Sequence, residues 1–162
     1  MIIDDRAPPW ARRIIRAVLE ARAPRVARLP FVVRWEQTGE FFSCGQCWFR
    51  RNHLTALEVH AGTRRDDQRL TLLHELAHAI LPASEGHSLT YWRTCFALYR
   101  EYRVPLRYAL LREGPYRQQA LYGAHLAGVS IPDDIHNTIQ ALWKKPVLPG
   151  SQEVRYAARK PK

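Results

Sequence analysis

The sequence lacks a long hydrophobic run, a leader-like N-terminus and an even set of cysteines. No stretch approaches the roughly 20 apolar residues that a bilayer-spanning helix needs, so we expect no membrane contact. The first residues do not form a charged segment followed by an apolar one, so we expect no signal peptide. Cys44, Cys47 and Cys95 are an odd number and predict no disulfide framework. These absences favour a cytoplasmic protein in a reducing compartment.

Internal repeats and low-complexity blocks are also missing, which favours one domain for the 162 residues. We expect residues 1–145 to form that domain and residues 146–162, which are basic and contain proline, to form a loosely ordered tail. Apolar residues at helical spacing and runs of β-branched or aromatic residues predict the secondary structure. The predicted helices cover residues 9–22, 67–81, 88–102, 116–126 and 130–144, and the predicted strands cover residues 31–35, 47–50 and 54–60.

This order of elements predicts an α+β fold, with a small sheet of about three strands packed on helices and with extra helices at the C-terminal end. The strands should be antiparallel where their turns are short, as at Arg51-Asn52. Asp66 and Asp67 are predicted to cap the second helix, and Ser130 is predicted to cap the last one. We expect the protein to be a monomer.

The second predicted helix contains the sequence His74-Glu75-Leu76-Ala77-His78, an H-E-x-x-H motif. Residues four apart lie on one face of a helix, so both imidazoles can reach the same metal ion. Glu75 is turned about 100° around the helix axis from His74, so it can stand beside the metal instead of binding it. There it can act as a general base towards a water that the metal activates.

A catalytic zinc ion needs a third protein ligand and an open fourth position. His87 is the natural third ligand, because it follows the helix break at Pro82 and the flexible pair Glu85-Gly86. The motif therefore predicts Zn²⁺ bound by His74, His78 and His87. The remaining histidines are much weaker candidates: His53, His60, His125 and His136.

The segment from Thr71 to Leu81, with the following Glu85-Gly86-His87 and the aromatic Tyr91, resembles the SprT-like zinc metallopeptidases. This family includes the bacterial SprT proteins and the eukaryotic Spartan protease, and the resemblance covers residues 31–105. It implies a zincin-like core, zinc held by the three histidines of this motif, and a catalytic glutamate at Glu75. It also implies a protein or peptide substrate. The chain has Ser88 where the family usually has glycine, and it lacks the C-terminal zinc ribbon of many members.

The charge of the chain is strongly basic, with a formal net charge of +10. The excess lies in the flanks, where residues 1–30 carry seven arginines against three acids and residues 101–162 carry ten basic residues against five acids. Basic surfaces of this kind favour DNA or another polyanion as a partner, and a solvated basic face is the ordinary alternative. Family substrates that are bound or crosslinked to DNA would suit these flanks. Arg12-Arg13, Arg16 and Lys144-Lys145 are the candidate phosphate contacts.

The sequence is also compatible with other roles for its cysteines and tyrosines and with other functions. Cys44 and Cys47 form a C-x-x-C pair that could bind structural zinc or act in redox chemistry, although ordinary strand cysteines are favoured. Peptide deformylases use H-E-x-x-H with a cysteine ligand, for which Cys47 would be the candidate. Tyr91 or Tyr99 could stabilise an oxyanion. The function itself has two rivals, a regulatory peptidase that cleaves one repressor and a nucleic-acid-binding module with a structural or vestigial zinc site.

Overall fold

The computed structural model describes residues 1–115 and 118–143, and these form an α+β fold of seven helices and four strands. The predicted tail and the residues Tyr116, Arg117 and Lys144 lie outside the described residues. The strands are β1 (Ile2–Ile3), β2 (Val32–Gln37), β3 (Cys44–Arg50) and β4 (His53–Ala61). The helices are α1 (Pro9–Arg22), α2 (Pro24–Arg28), α3 (Arg65–Ile80), α4 (Leu89–Glu101), α5 (Leu106–Glu113), α6 (Gln118–Leu126) and α7 (Asp133–Trp143).

The sheet has the strand order β1-β2-β4-β3, with β3 at one edge. The β1–β2 and β2–β4 pairs are parallel, whereas β3 and β4 form an antiparallel hairpin. Arg51 and Asn52 connect this hairpin with φ values of 50° and 64°, the left-handed conformation that matches the twist of a two-residue hairpin loop. The prediction of about three strands was one too few, because β1 has two residues and no periodic pattern can reveal so short a strand.

The helices cover one face of the sheet. Alternate residues of β2 and β4 face the helices and are fully buried, among them Val33, Leu57 and Val59. The opposite face carries polar side chains, such as the ion pair between Arg34 and Glu58. Burial of the apolar face provides the main stabilisation of this two-layer arrangement.

Helix α1 confirms the predicted bounds and packs through its apolar stripe, which includes Ile15 and Leu19. No helix or strand was predicted between residues 22 and 31, but Pro24 begins the short helix α2. Proline at the first helical position loses no hydrogen bond that the helix needs, so a proline that ends one helix can begin the next.

Helix α3 lies at the centre of the fold, where it contacts the sheet, α1 and α4. The predicted cap is wrong: the residue before the helix is Arg64, which makes no side-chain cap, and Asp66 and Asp67 lie in the first turn. Asp67 is fully buried and accepts hydrogen bonds from the Ser43 amide, the Tyr108 hydroxyl and Arg112 Nε. Its carboxylate therefore joins α3 to α5 and to the segment before β3.

Helix α4 begins after Ser88 and contacts α6 closely and α5 to a smaller extent, whereas α7 packs against α5. Helix α5 was not among the predicted helices. The predicted cap at Ser130 is also wrong, because α7 begins at Asp133 and its first helical hydrogen bond runs from the His136 amide to the Pro132 carbonyl. In the part of the chain that the structure describes, no helix has both the length and the apolar character to cross a membrane.

Candidate metal centre

The three predicted metal ligands come together through one atom each. His74 and His78 lie one turn apart on α3, and the Nε2 atom of His87 is 3.2 Å from Nε2 of His74 and 3.3 Å from Nε2 of His78. Across residues 1–115 and 118–143, these three residues form the one group of three or more histidine, cysteine or acidic side chains close enough to hold a metal ion. The fold therefore brings together the three histidines that the sequence predicts as ligands.

The loop after α3 presents His87 to the helix. The helix ends before Pro82, a 3-10 turn spans Ala83–Glu85, and Gly86 follows with a φ of 50°. A positive φ costs glycine little, so the chain can reverse direction at this position. Ser88 then accepts a hydrogen bond from the Tyr91 amide and starts α4. His87 is held between a tight turn and a capped helix.

The donor geometry fits a tetrahedral zinc site. Zn–N bonds of 2.0–2.1 Å place neighbouring nitrogen atoms about 3.3 Å apart around a tetrahedral ion. The two measured Nε2–Nε2 distances agree with this spacing. Burial and the nearby His74 lower the pKa of His78 to about 2, so its imidazole is neutral and its lone pair is free to bind a cation. The triad therefore fits zinc, although imidazole nitrogen also suits other transition metals.

Two aromatic side chains of α4 hold the rings of the second and third histidines. The Tyr91 ring stacks on His78 with centroids 4.1 Å apart, and the Trp92 ring lies nearly parallel to His87 at 5.5 Å. Both aromatic side chains are fully buried, so their positions are set by core packing. The Tyr91 hydroxyl donates a hydrogen bond to the main-chain carbonyl of His74. Helix α4 thereby fixes the site from one side.

Glu113, at the end of α5, contacts the imidazole of His74 at Nδ1. Its Oε1 lies 3.1 Å from Nδ1 of His74 and accepts a 2.8 Å hydrogen bond from the Tyr99 hydroxyl. Burial acts to lower the pKa of His74, but the Glu113 carboxylate, together with Cys95, holds that pKa well above its usual value. Burial acts to raise the pKa of Glu113, but His74 and Tyr99 keep it below its usual value. The sequence gives no signal for Glu113, because no spacing relates it to His74, which lies 39 positions earlier.

Glu75 projects from α3 towards the edge strand. The side chain is 5% exposed and lies against Gly45 of β3, where an added Cβ would come within 2.6 Å of Glu75 Cγ. Burial raises the pKa of Glu75 to about 7, although His74 opposes this shift. A buried carboxyl group with a pKa near neutrality is suited to proton transfer.

The other candidates from the sequence lie outside the histidine triad. Cys44 and Cys47 are ordinary residues of β3, as favoured, and Cys47 Sγ donates to the main-chain carbonyl of Glu75. Burial raises the pKa of Cys47 well above its usual value, which disfavours the thiolate that a deformylase-like site would need. The Tyr91 and Tyr99 hydroxyls both donate to internal acceptors, so neither can stabilise an oxyanion without giving up that bond.

The basic flank also has a defined place. In α1 and α2 five arginines are exposed, with a single acidic residue, Glu20, among them: Arg13, Arg16, Arg22, Arg25 and Arg28. Arg22 forms an ion pair with Glu101 of α4. Arg12 is partly buried, and the other predicted phosphate contacts, Lys144 and Lys145, lie outside the described residues. Helices α1 and α2 therefore present a basic surface.

Comparison with family models, with curated proteins and with solved structures finds no match for this chain. The resemblance to the SprT-like peptidases consequently depends on the residues of the motif itself.

Proposed function

We propose that this protein is a zinc-dependent metallopeptidase of the SprT-like type, with a zincin-like core. The observation that supports this best is the open triad: among the described residues, three histidines converge and no fourth histidine, cysteine or acidic residue joins them. Structural zinc sites are closed by four protein ligands, whereas catalytic sites keep one position for water or substrate. Glu75 beside the triad supplies the base that a hydrolytic site needs.

A zinc ion held by His74, His78 and His87 would supply Lewis-acid chemistry, polarising the peptide carbonyl and making a water molecule more acidic. Glu75 would accept the proton of the attacking water and pass it to the leaving amine. Its pKa of about 7 lies close to the working range, and a bound dication would lower that pKa and favour the basic form. The attack of water on the peptide carbonyl would thus depend on the zinc ion and Glu75, without another charged side chain.

The edge strand β3 would position the substrate. In the described sheet β3 pairs only with β4, so its other side is open to an extended peptide. Gly45, the residue of β3 next to Glu75, has no side chain that would separate a peptide backbone from the base. The peptide bond to be cleaved would then lie beside both the base and the triad.

The test compares zinc-loaded wild type with Glu75→Gln in cleavage of fluorescently labelled, unfolded casein, with and without added DNA. Gln is nearly isosteric with Glu and leaves the three ligands in place, so zinc content should remain. The rate should fall by roughly 10²–10⁴ because general-base catalysis is lost. Equal cleavage by both proteins would show that the proposed role of Glu75 is wrong. A regulatory peptidase that cleaves one repressor would share this metal site but would not cleave casein.

A second proposal concerns the partner: DNA contacts the basic surface of α1 and α2. Neutralising Arg13, Arg16, Arg25 and Arg28, the exposed arginines of this surface other than the ion-paired Arg22, by Arg→Gln substitution should weaken binding to a labelled oligonucleotide and reduce the salt dependence of that binding. Unchanged affinity would contradict the proposal. The same gel-shift assay with a chelator examines the alternative that the protein is a nucleic-acid-binding module with structural zinc, because only such a module loses DNA binding when its metal is removed.

A further inference from the structure

We propose that Glu113 is a positioning residue of the metal centre, which orients His74 through Nδ1 so that Nε2 is presented to the metal. This inference rests on the proposed metal site, and it assigns a task to a side chain that has no part in the motif. Its basis is the 3.1 Å contact between Glu113 Oε1 and His74 Nδ1.

The contact selects one tautomer of the imidazole. A carboxylate can only accept, so the ring nitrogen that faces Glu113 carries the proton, and the lone pair is left on Nε2. Nε2 is the atom of His74 that meets Nε2 of His87 at 3.2 Å. In metal sites generally, a histidine ligand that donates its second ring N–H to a carboxylate is more basic and better oriented.

Glu113 is itself held in place. Its side chain is 12% exposed, and the same Oε1 atom accepts the 2.8 Å hydrogen bond from the fully buried Tyr99. The preceding residue, Arg112, donates through Nε to Asp67 at 3.2 Å. Asp67 and His74 are seven positions apart, or about two turns of α3, so successive residues of α5 attach to one face of α3 at two points.

The charge of Glu113 also suits a buried dication. A cation removed from water is costly unless opposite charges accompany it. The three imidazoles contribute no net charge when they bind as neutral ligands, whereas Glu75 and Glu113, both buried residues, contribute two carboxylates. A Zn²⁺ ion together with these two groups is neutral overall.

The experiment measures the zinc dissociation constant of the full chain by competition with a chromophoric chelator. Glu113→Gln keeps the shape and an acceptor but loses the charge, and should weaken zinc binding about 10-fold. Glu113→Ala loses both and should weaken it by up to about 100-fold. Arg112→Gln is the matched control: it breaks the neighbouring attachment of α5, and should lower the melting temperature while changing zinc affinity less than about 3-fold.

Zinc affinity within about 3-fold of wild type in Glu113→Gln, as well as in any folded Glu113→Ala protein, would overturn the inference. Equal weakening in Arg112→Gln would also overturn it, because the effect would then be one of helix attachment. The two proposals fail separately. Weakened zinc binding without peptidase activity in the wild type would leave this inference standing and contradict the peptidase. Unchanged zinc binding in the Glu113 variants, together with wild-type peptidase activity that depends on Glu75, would contradict this inference and support the peptidase.

Discussion

Replacing Gly45 by alanine should displace Glu75, the proposed base, and leave the histidine triad intact. A Cβ at this position would lie 2.6 Å from Glu75 Cγ, 2.9 Å from Glu75 Oε1 and 3.0 Å from the Glu58 carbonyl oxygen. Carbon atoms in contact prefer a separation of about 3.5–4.0 Å, so the Glu75 side chain must move by roughly 1 Å. The strand cannot retreat instead, because the Glu58 carbonyl lies close on its neighbour β4. A displacement of 1 Å in a catalytic group can cost about 10²-fold in rate.

The assay for Gly45→Ala is the casein cleavage rate of the zinc-loaded protein, with zinc content and melting temperature measured on the same sample. We expect one zinc per chain, a near-normal melting temperature and a rate about 10²-fold below wild type. Gly39→Ala is the matched control: nothing lies within 4 Å of its added Cβ, and its φ of 72° makes it a test of backbone strain alone. A Gly45→Ala protein that cleaves at the wild-type rate would refute the placement of Glu75 as the base.

Two other predictions concern metal affinity and stability. Burial acts to lower the pKa of His74, but the Glu113 carboxylate raises it more, so that this pKa is well above its usual value. At neutral pH zinc must therefore displace a proton from His74 in order to bind. Zinc affinity should therefore rise from about pH 6 to pH 8, and a flat profile in a chelator titration would contradict this. Gly123→Ala should lower the free energy of unfolding by about 1–3 kcal/mol, since its Cβ would lie 2.9 Å from the Trp92 main-chain carbon and overlap Trp92 Cβ. Urea unfolding measures the loss, and wild-type stability would show that α4 and α6 can separate without cost.

The convergence of the three histidines could be predicted from the sequence because they lie close together in the chain. His74 and His78 are related by one helical turn, and His87 follows after a break that Pro82 and Gly86 make visible. The bounds of α1 and α4 were likewise predictable, because apolar spacing and flanking residues mark both ends. In each of these cases the physical cause lies within a few residues of its effect.

The features that the sequence does not predict depend on contacts between distant segments. Glu113 reaches His74 only because α5 packs beside α3. Asp67 of α3 is hydrogen-bonded by Tyr108 and Arg112, which also belong to α5. An acidic residue at the start of a helix normally indicates a cap, and nothing local shows that Asp67 instead lies in the core.

Strand order was hidden for a related reason. The β2–β4 pair is parallel, although β3 lies between these strands in the chain. Local turn signals identify the β3–β4 hairpin, whereas a parallel pair joined through an intervening strand leaves no short-range pattern. The position of β3 at the edge, on which the proposed substrate site depends, thus came from the structure.

Zinc content is the most direct test of a metal centre formed by the three histidines. Wild-type protein purified with zinc present should contain one zinc ion per chain by elemental analysis, and His87→Ala should lose it or bind it far more weakly. His125→Ala, which removes an exposed histidine of α6 outside the triad, should keep the wild-type content. A wild-type protein without zinc, or a His87→Ala protein that keeps it at full affinity, would contradict a three-histidine metal centre.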